Sequence, residues 1–158
     1  HELATSTLAV RIAASTRTTP YAAFATGLAS IEGRFHGSAS SDAHLFLQHC
    51  AERGPTAAIA ELRSMRQLVP GFGHKVYRGV DPRFGPLMEV IGPLDPDGRA
   101  LALVDDVVRE VGRTLPHQPN VDLALGALTW IAGLGPETPI FAVARITGWA
   151  AHFDAVDE

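Results

Sequence analysis

The chain has 158 residues, a formal net charge of -4 at pH 7 and a single cysteine, Cys50. This length allows one hydrophobic core, or one domain with part of another. The negative charge argues against a general electrostatic surface for nucleic acid, and one cysteine excludes both an intramolecular disulfide and a cysteine zinc site. Because no apolar run reaches the ~18 residues of a membrane span, we expect neither nucleic acid nor a membrane as a partner.

Every long segment has the apolar spacing of a helix, and no alternating strand pattern persists. Thr19 before Pro20, Gly54 before Pro55, and Asn120 are typical helix start signals. In chain order, we predict helices over about 3–15, 21–31, 40–53, 56–68, 82–91, 98–115, 121–132 and 139–153. The sequence therefore predicts an all-α chain of about eight helices.

The segment between the fourth and fifth predicted helices, residues 70–83, reads PGFGHKVYRGVDPR. Its glycines permit backbone angles that are closed to other residues, and they let a ligand approach the main chain. His74 supplies a proton donor or acceptor near neutral pH. Arg83 offers a planar fork suited to a carboxylate, and Lys75 and Arg78 add charge that suits phosphate. We predict that this loop binds a small anionic molecule.

The same segment predicts how the next helix begins. Asp81 has the residue type of an N-cap, and Pro82 suits the first helical position. We therefore expect the helix over 82–91 to follow directly on Asp81.

Segment 70–83 also resembles the active-site loop of citrate synthases, which has Gly-Phe/Tyr-Gly-His, a short basic segment and Asp-Pro-Arg. Four more segments resemble motifs of that family in the same order along the chain. They are His1-Glu2-Leu3, Gly33-Arg34-Phe35-His36-Gly37, Asn120-Val121-Asp122 and Phe141-Ala142-Val143-Ala144-Arg145. The resemblance spans nearly the whole chain and is greatest to divergent bacterial members.

The resemblance implies a role for each matching residue. Asp122 would be the catalytic base, His36 the donor to the thioester oxygen, and His74 the group that polarises a keto carbonyl. The carboxylates of the substrate would be bound by three further residues, His1, Arg83 and Arg145. Coenzyme A would lie against Gly71, Gly73 and Arg78.

The resemblance also implies a citrate synthase-like multi-helical fold and an acyltransferase that condenses acetyl-CoA with oxaloacetate to citrate. Residues 1–38 and 134–158 would belong to the large domain, and residues 39–133 would form the small domain that closes over the substrate. A coenzyme A thioester would be the cosubstrate, with no permanently bound cofactor and no metal. We expect the full-length protein to be a cytoplasmic homodimer, and this chain to be an incomplete fragment with little activity.

Other interpretations remain open. Ser40 stands where the family commonly has asparagine, and the donor could be propionyl-CoA, as in 2-methylcitrate synthases. A silent family member that binds coenzyme A or a metabolite, or a helical interaction domain, would also fit. Taken singly, Asp122 could be a first-turn aspartate, Arg83 the partner of a nearby acid, and Arg145 a solvated helix charge. We expect structural roles for Cys50, both tryptophans and the histidines at 44, 49, 117 and 152.

Overall fold

The computed structural model describes residues 3–33, 37–74, 77 and 79–156. Over these residues the chain forms eight α-helices and one short 3₁₀ helix, Gly92–Leu94, with no strand beyond an isolated bridge between Phe72 and Pro119. The helices are α1 (Thr5–Ser15), α2 (Pro20–Ile31), α3 (Ala39–Arg53), α4 (Pro55–Ser64), α5 (Phe84–Ile91), α6 (Arg99–Thr114), α7 (Val121–Ile131) and α8 (Ile140–Asp154). The predicted all-α class is confirmed. No helix in the described part of the chain is both long and apolar enough to cross a membrane.

Two compact units make up the chain, and each has its own core. Unit 1 comprises His1–Ser38 and Pro139–Glu158, and it contains α1, α2 and α8. Its core is built around the fully buried Trp149, with Val10, Ala23, Ile31 and Ala142. A Cβ atom at Gly27 would lie 2.7 Å from Val10 and 2.9 Å from the Trp149 ring, so α2 packs tightly here because it has no side chain at this position.

Unit 2 is the continuous segment Ala39–Thr138, and it contains α3 to α7. Buried valines at positions 104, 107 and 111 form one apolar face of α6, as the helical repeat requires. They pack in a core with Leu47 of α3 and Leu123 of α7. At Gly126, an added Cβ would lie 2.7 Å from the main-chain nitrogen of His44, so α3 and α7 contact each other backbone to backbone.

The helix boundaries agree with the prediction within two residues, apart from the end of α4. Thr19 caps α2 by accepting the Ala22 N–H at 3.3 Å, as its residue type indicates. Helix α4 ends at Ser64, four residues early, because Arg66 takes a left-handed conformation with φ +55°. Helix α5 begins at Phe84 and has no side-chain cap.

Candidate active site in unit 2

The glycine-histidine loop is fastened to the segment that leads into α7. Gly71 and Gly73 have φ of +80° and +78°, so both take the left-handed conformations predicted for them. The Gly73 N–H donates to the carbonyl of Gln118 at 2.8 Å, and the Asn120 N–H donates to the carbonyl of Gly71 at 3.0 Å. The Asn120 amide also donates to the Gly73 carbonyl, with Nδ2 and O 2.6 Å apart. The residue before His74 is therefore bound to the residue that begins α7.

Asn120 has a second role as the N-cap of α7. Its Oδ1 accepts the N–H of Asp122 at 2.9 Å and that of Leu123 at 3.4 Å. A Cβ at Gly71 would lie 2.7 Å from the Leu123 Cβ, so only glycine allows the loop to come this close to α7. One asparagine side chain thus places Asp122 beside the glycine-histidine loop.

Asp81 is the buried anchor of the site, with 1% of its side chain exposed. Its Oδ1 accepts the main-chain N–H and the Nε–H of Arg83, at 3.0 and 2.9 Å. Its Oδ2 accepts Nη2–H of Arg83 at 2.7 Å and the main-chain N–H of Val121 at 3.0 Å. Burial by itself would raise the pKa of Asp81, but the hydrogen bonds and charge of Arg83 and the Val121 N–H lower it from 3.8 to about 2.

These bonds correct the prediction that Asp81 caps a helix beginning at Pro82. The helix begins at Phe84, and only the bond from the Arg83 main-chain N–H resembles a cap. The other three bonds come from the Arg83 side chain and the first residue of α7, because a buried carboxylate needs a charged partner and further hydrogen-bond donors.

Arg83 therefore pairs with a nearby acid. Two of its five guanidinium N–H donors point to Asp81, and the side chain is 32% exposed, so it retains donors for a second anion. Its pKa is raised by the hydrogen bond to Asp81, which keeps it charged at all relevant pH. The binding of a substrate carboxylate by Arg83 stays a prediction.

His74 lies between Tyr77 and Arg83. The main-chain N–H of Tyr77 donates to its Nδ1 at 3.2 Å, and a donor of this kind requires a ring nitrogen without a proton. Neutral His74 then carries its proton on Nε2. The ring of Tyr77 packs on that of His74 with centroids 4.8 Å apart, and Nη2 of Arg83 is 3.4 Å from His74 Nε2.

Asp122 lies in the first turn of α7, close enough to His74 and Arg83 for their charges to act on it. Burial raises the pKa of Asp122, while the charges of Arg83 and His74 lower it and that of Asp81 raises it again. The net pKa is above the usual value for aspartate, which makes this carboxylate a stronger base than one in water.

The other predicted site residues are distributed as follows. Arg145 belongs to unit 1, where its Nη2 donates to Oγ1 of the fully buried Thr7 at 2.8 Å. It is therefore not a solvated helix charge. His1, His36 and Arg78 lie outside the described residues.

Sequence reasoning missed two members of the site. The sequence pattern predicts an N-cap role for Asp81, although its spacing of two residues from Arg83 could have suggested the ion pair. For Tyr77, the only signal was an aromatic residue three positions after the histidine in a glycine-rich loop.

Residues expected to be structural have structural contacts. Nδ1 of the buried His44 lies 2.9 Å from Oγ1 of Thr129, and Nε2 of His49 lies 2.9 Å from Oε2 of Glu61. Cys50 is buried, and burial raises the pKa of its thiol to about 12. In the described segments, no three His, Cys, Asp or Glu side chains cluster as metal ligands would. The expectation of a metal-free reaction stays a prediction.

Comparison with known proteins agrees with this geometry. The chain is 31% identical to the 2-methylcitrate synthase of Mycobacterium tuberculosis and 30% identical to the citrate synthase of Synechocystis. These alignments cover 96% and 97% of this chain but 40% and 41% of those proteins. The solved structure of citryl-CoA lyase from Hydrogenobacter thermophilus matches with a TM-score of 0.85 at 29% identity, over 99% of this chain and 63% of that one.

The chain thus spans about two fifths of the curated relatives that it matches. The family profile described as "Citrate synthase, C-terminal domain" matches residues 1–155, almost the entire sequence. On the strength of that match and of the relatives, this chain belongs to the citrate synthase family and corresponds to its C-terminal domain.

Proposed function

We propose that this chain carries part of the active site of an acyltransferase that condenses acetyl-CoA with oxaloacetate to give citrate and coenzyme A. The observation that supports this most is the grouping of a base, a proton donor and a cation on one loop and one helix start. Asp122 has a raised pKa, His74 has a geometry that leaves the proton on Nε2, and Arg83 is fixed by Asp81. Carbon–carbon bond formation beside a thioester needs these three groups.

In the proposed reaction, Asp122 removes a proton from the methyl carbon of the thioester. His36 donates a hydrogen bond to the thioester oxygen, where negative charge develops. The resulting enolate carbon attacks the keto carbon of oxaloacetate, whose oxygen is polarised by a hydrogen bond from Nε2 of His74. The new hydroxyl gains one proton, which balances the proton that Asp122 removed, so both side chains return to their starting protonation states. Water then cleaves the thioester and releases coenzyme A.

Binding of the two substrates is assigned to the remaining motif residues. Arg83, Arg145 and His1 bind the carboxylates of oxaloacetate and so fix its approach to the enolate. Arg78 binds a phosphate of coenzyme A, and the left-handed backbone at Gly71 and Gly73 admits the thioester close to the main chain. No resident metal or cofactor takes part in this scheme.

The same proposal extends to the organisation of the protein. Residues 39–133 act as the small domain that closes over bound substrate, while residues 1–38 and 134–158 belong to the large domain. Closure would exclude water from the reactive thioester and strengthen the hydrogen bonds in the site. The working protein is a cytoplasmic homodimer, and the 158-residue chain has little activity alone because relatives use a polypeptide more than twice as long.

Two other substrates have specific support. The relative from Mycobacterium tuberculosis is named for 2-methylcitrate, which makes propionyl-CoA a second candidate donor. The citryl-CoA lyase structure suggests cleavage of citryl-CoA, in which Asp122 and His74 would exchange protons in the reverse direction. A silent binding protein is less well supported, because it has no need of a carboxylate with a raised pKa.

The test compares the wild type with Asp122→Asn, in the 158-residue chain and in any longer gene product that contains it. Each is incubated with oxaloacetate and acetyl-CoA or propionyl-CoA while free thiol is followed, and separately with citryl-CoA while oxaloacetate is followed. We expect the longer protein to release thiol and Asp122→Asn to lose about 10²–10⁴-fold in kcat. Asp105→Asn, on the exposed side of α6, is the matched control and should retain full activity.

Two results would contradict the proposed reaction. The first is a longer protein that is inactive with every thioester, which would favour a silent binder. The second is unchanged turnover in Asp122→Asn. Rapid turnover by the 158-residue chain would refute only the claim that it is inactive alone.

A further inference from the structure

We propose that Tyr77 is a positioning residue for His74, and that it selects the ring tautomer in which Nε2 carries the proton. The inference rests on the proposed function only for the role of the Nε2 proton in the reaction. The tautomer itself is a property of the protein without substrate. The inference is carried by four contacts among Tyr77, His74 and Arg83.

Among the described residues, Tyr77 and Arg83 each place a donor near the imidazole of His74. The main-chain N–H of Tyr77 points at Nδ1, with the nitrogens 3.2 Å apart, and stabilises the tautomer with the proton on Nε2. On the other side, Nη2 of Arg83 lies 3.4 Å from Nε2 and would stabilise the opposite tautomer by donating to that nitrogen. A neutral imidazole has one proton, so both bonds cannot form together.

The surroundings of Arg83 decide this competition. Its Nη2 already donates to Oδ2 of Asp81 at 2.7 Å, which is shorter and charge-assisted. That bond uses one of the two Nη2 hydrogens and fixes the position of the guanidinium. The second hydrogen has a longer distance to the ring, 3.4 Å compared with 3.2 Å for the Tyr77 N–H, so the Tyr77 N–H is the better-placed donor.

The side chain of Tyr77 makes this arrangement stable. At 3.2 Å, the N–H bond to Nδ1 is at the long end of the usual range, so it needs a ring that cannot rotate away. The Tyr77 ring supplies this restraint by packing on the imidazole, with centroids 4.8 Å apart and planes inclined at 37°. It also lies 5.4 Å from Cζ of Arg83, so one aromatic ring contacts both the histidine and its competing donor.

This leads to a definite prediction for truncation of the ring. Without the Tyr77 side chain, His74 can turn away from the Tyr77 N–H and accept from Arg83 at Nε2. The proton then moves to Nδ1, where it cannot reach a substrate that faces Nε2. Tyr77→Phe retains the packing surface and should behave as the wild type.

The experiment is long-range ¹H–¹⁵N correlation of the ¹⁵N-histidine-labelled 158-residue chain, at pH about 8. His74→Gln assigns the signal. We expect the wild type and Tyr77→Phe to show Nδ1 as the downfield, unprotonated nitrogen and Nε2 as the upfield, protonated one. In Tyr77→Ala the two shifts should converge or exchange places. Tyr21→Ala, which removes the other, strongly exposed tyrosine, is the control and should leave His74 unchanged.

Protonated Nδ1 in the wild type, or an unchanged tautomer in Tyr77→Ala, would overturn the proposal. If Tyr77→Ala fails to fold, the tautomer measured in the wild type still tests the proposal. In a second, uniformly ¹⁵N-labelled sample, a through-hydrogen-bond ¹⁵N–¹⁵N coupling between the Tyr77 amide and His74 Nδ1 supports the proposal, and its absence refutes it. No substrate is present in these measurements, so failure of the proposed condensation would leave the result for Tyr77 intact.

Discussion

Among single residues, Asp81 connects the site to the fold, since its carboxylate binds both Arg83 and the start of α7. Asp81→Asn should destabilise the chain by about 3 kcal/mol, because breaking a buried ion pair leaves the guanidinium of Arg83 without its partner. The free energy of unfolding in urea measures this. Asp106→Asn breaks the exposed pair with Arg109, 2.8 Å apart, and should cost less than about 0.5 kcal/mol. Equal losses in both variants would contradict the assignment of Asp81 as the anchor.

The same carboxylate predicts how stability depends on pH. Its pKa is about 2 in the folded chain, compared with the usual 3.8. An acid whose pKa is lowered by folding contributes stability that is complete above pH 3.8 and is lost as the pH falls towards 2. The urea midpoint of the wild type should therefore fall in this interval, and Asp81→Asn should lack that part of the decline.

Asp122 should have the opposite effect on stability. Its pKa is raised by burial, so the folded chain favours the protonated form, and the ionised carboxylate lowers stability at pH 7. Asp122→Asn should therefore raise the Tm at pH 7 while it removes the proposed base, and the gain should vanish below the ordinary aspartate pKa, ~3.9. A lower Tm for Asp122→Asn at pH 7, measured by circular dichroism, would show that the charge is stabilised by its neighbours instead.

These residues show where sequence reasoning succeeds and where it stops. Asn120 could be identified as a cap because its Oδ1 accepts from residues only two and three positions further along the chain. Asp81 could not be assigned correctly, because its decisive partner, Val121, is forty residues away and its burial is not visible in a local pattern.

At the scale of helices, the contact between α3 and α7 sets the position of the candidate site. Gly126→Ala would place a Cβ 2.7 Å from the His44 nitrogen and 2.9 Å from the Ala43 carbonyl carbon, so the two backbones would have to separate. We expect a net loss of about 1–3 kcal/mol, despite the better helix propensity of alanine. Thermal unfolding followed by circular dichroism measures it.

Gly112→Ala in α6 is the matched control for this change. An added Cβ there meets nothing within 4 Å, so the substitution should raise stability by about 0.5–1 kcal/mol. If both alanines have the same effect, the close approach of α3 and α7 does not limit stability.

Helix positions were predictable because the caps and breakers are local. Gly54-Pro55 and Thr19-Pro20 mark real starts, whereas the early end of α4 was missed. Helix α4 ends early because Arg66 takes a left-handed conformation. Arginine rarely adopts this conformation, so its residue type does not predict it.

For the whole molecule, the two separate cores predict two unfolding reactions. Each unit contains one tryptophan: Trp149 is fully buried in unit 1, and Trp130 packs against the core of unit 2. Trp149→Phe makes fluorescence report on unit 2, and Trp130→Phe makes it report on unit 1. We expect different urea midpoints for the two variants, because each helix packs chiefly within its own unit.

Circular dichroism of both variants is the control, since it monitors all helices and should show the two steps in sequence. Coincident midpoints by fluorescence would mean that the units unfold as one body. The all-α class and the family were accessible from the sequence because motifs and apolar spacing are local. A division of the chain was expected from the family resemblance alone, because a local pattern does not indicate which helices meet.

The carboxylate of Asp81, which binds both Arg83 and the start of α7, limits the substitutions that this chain can accept during evolution. A descendant that abandons the reaction cannot discard Arg83 alone, because Asp81 would remain charged and buried without its partner. Such a chain would first become scarce in the cell through misfolding and degradation. In related sequences, Asp-Pro-Arg should therefore be retained after the catalytic residues are lost. An intact Asp-Pro-Arg indicates that the chain can fold, whereas Asp122 and His74 indicate whether it can still catalyse the reaction.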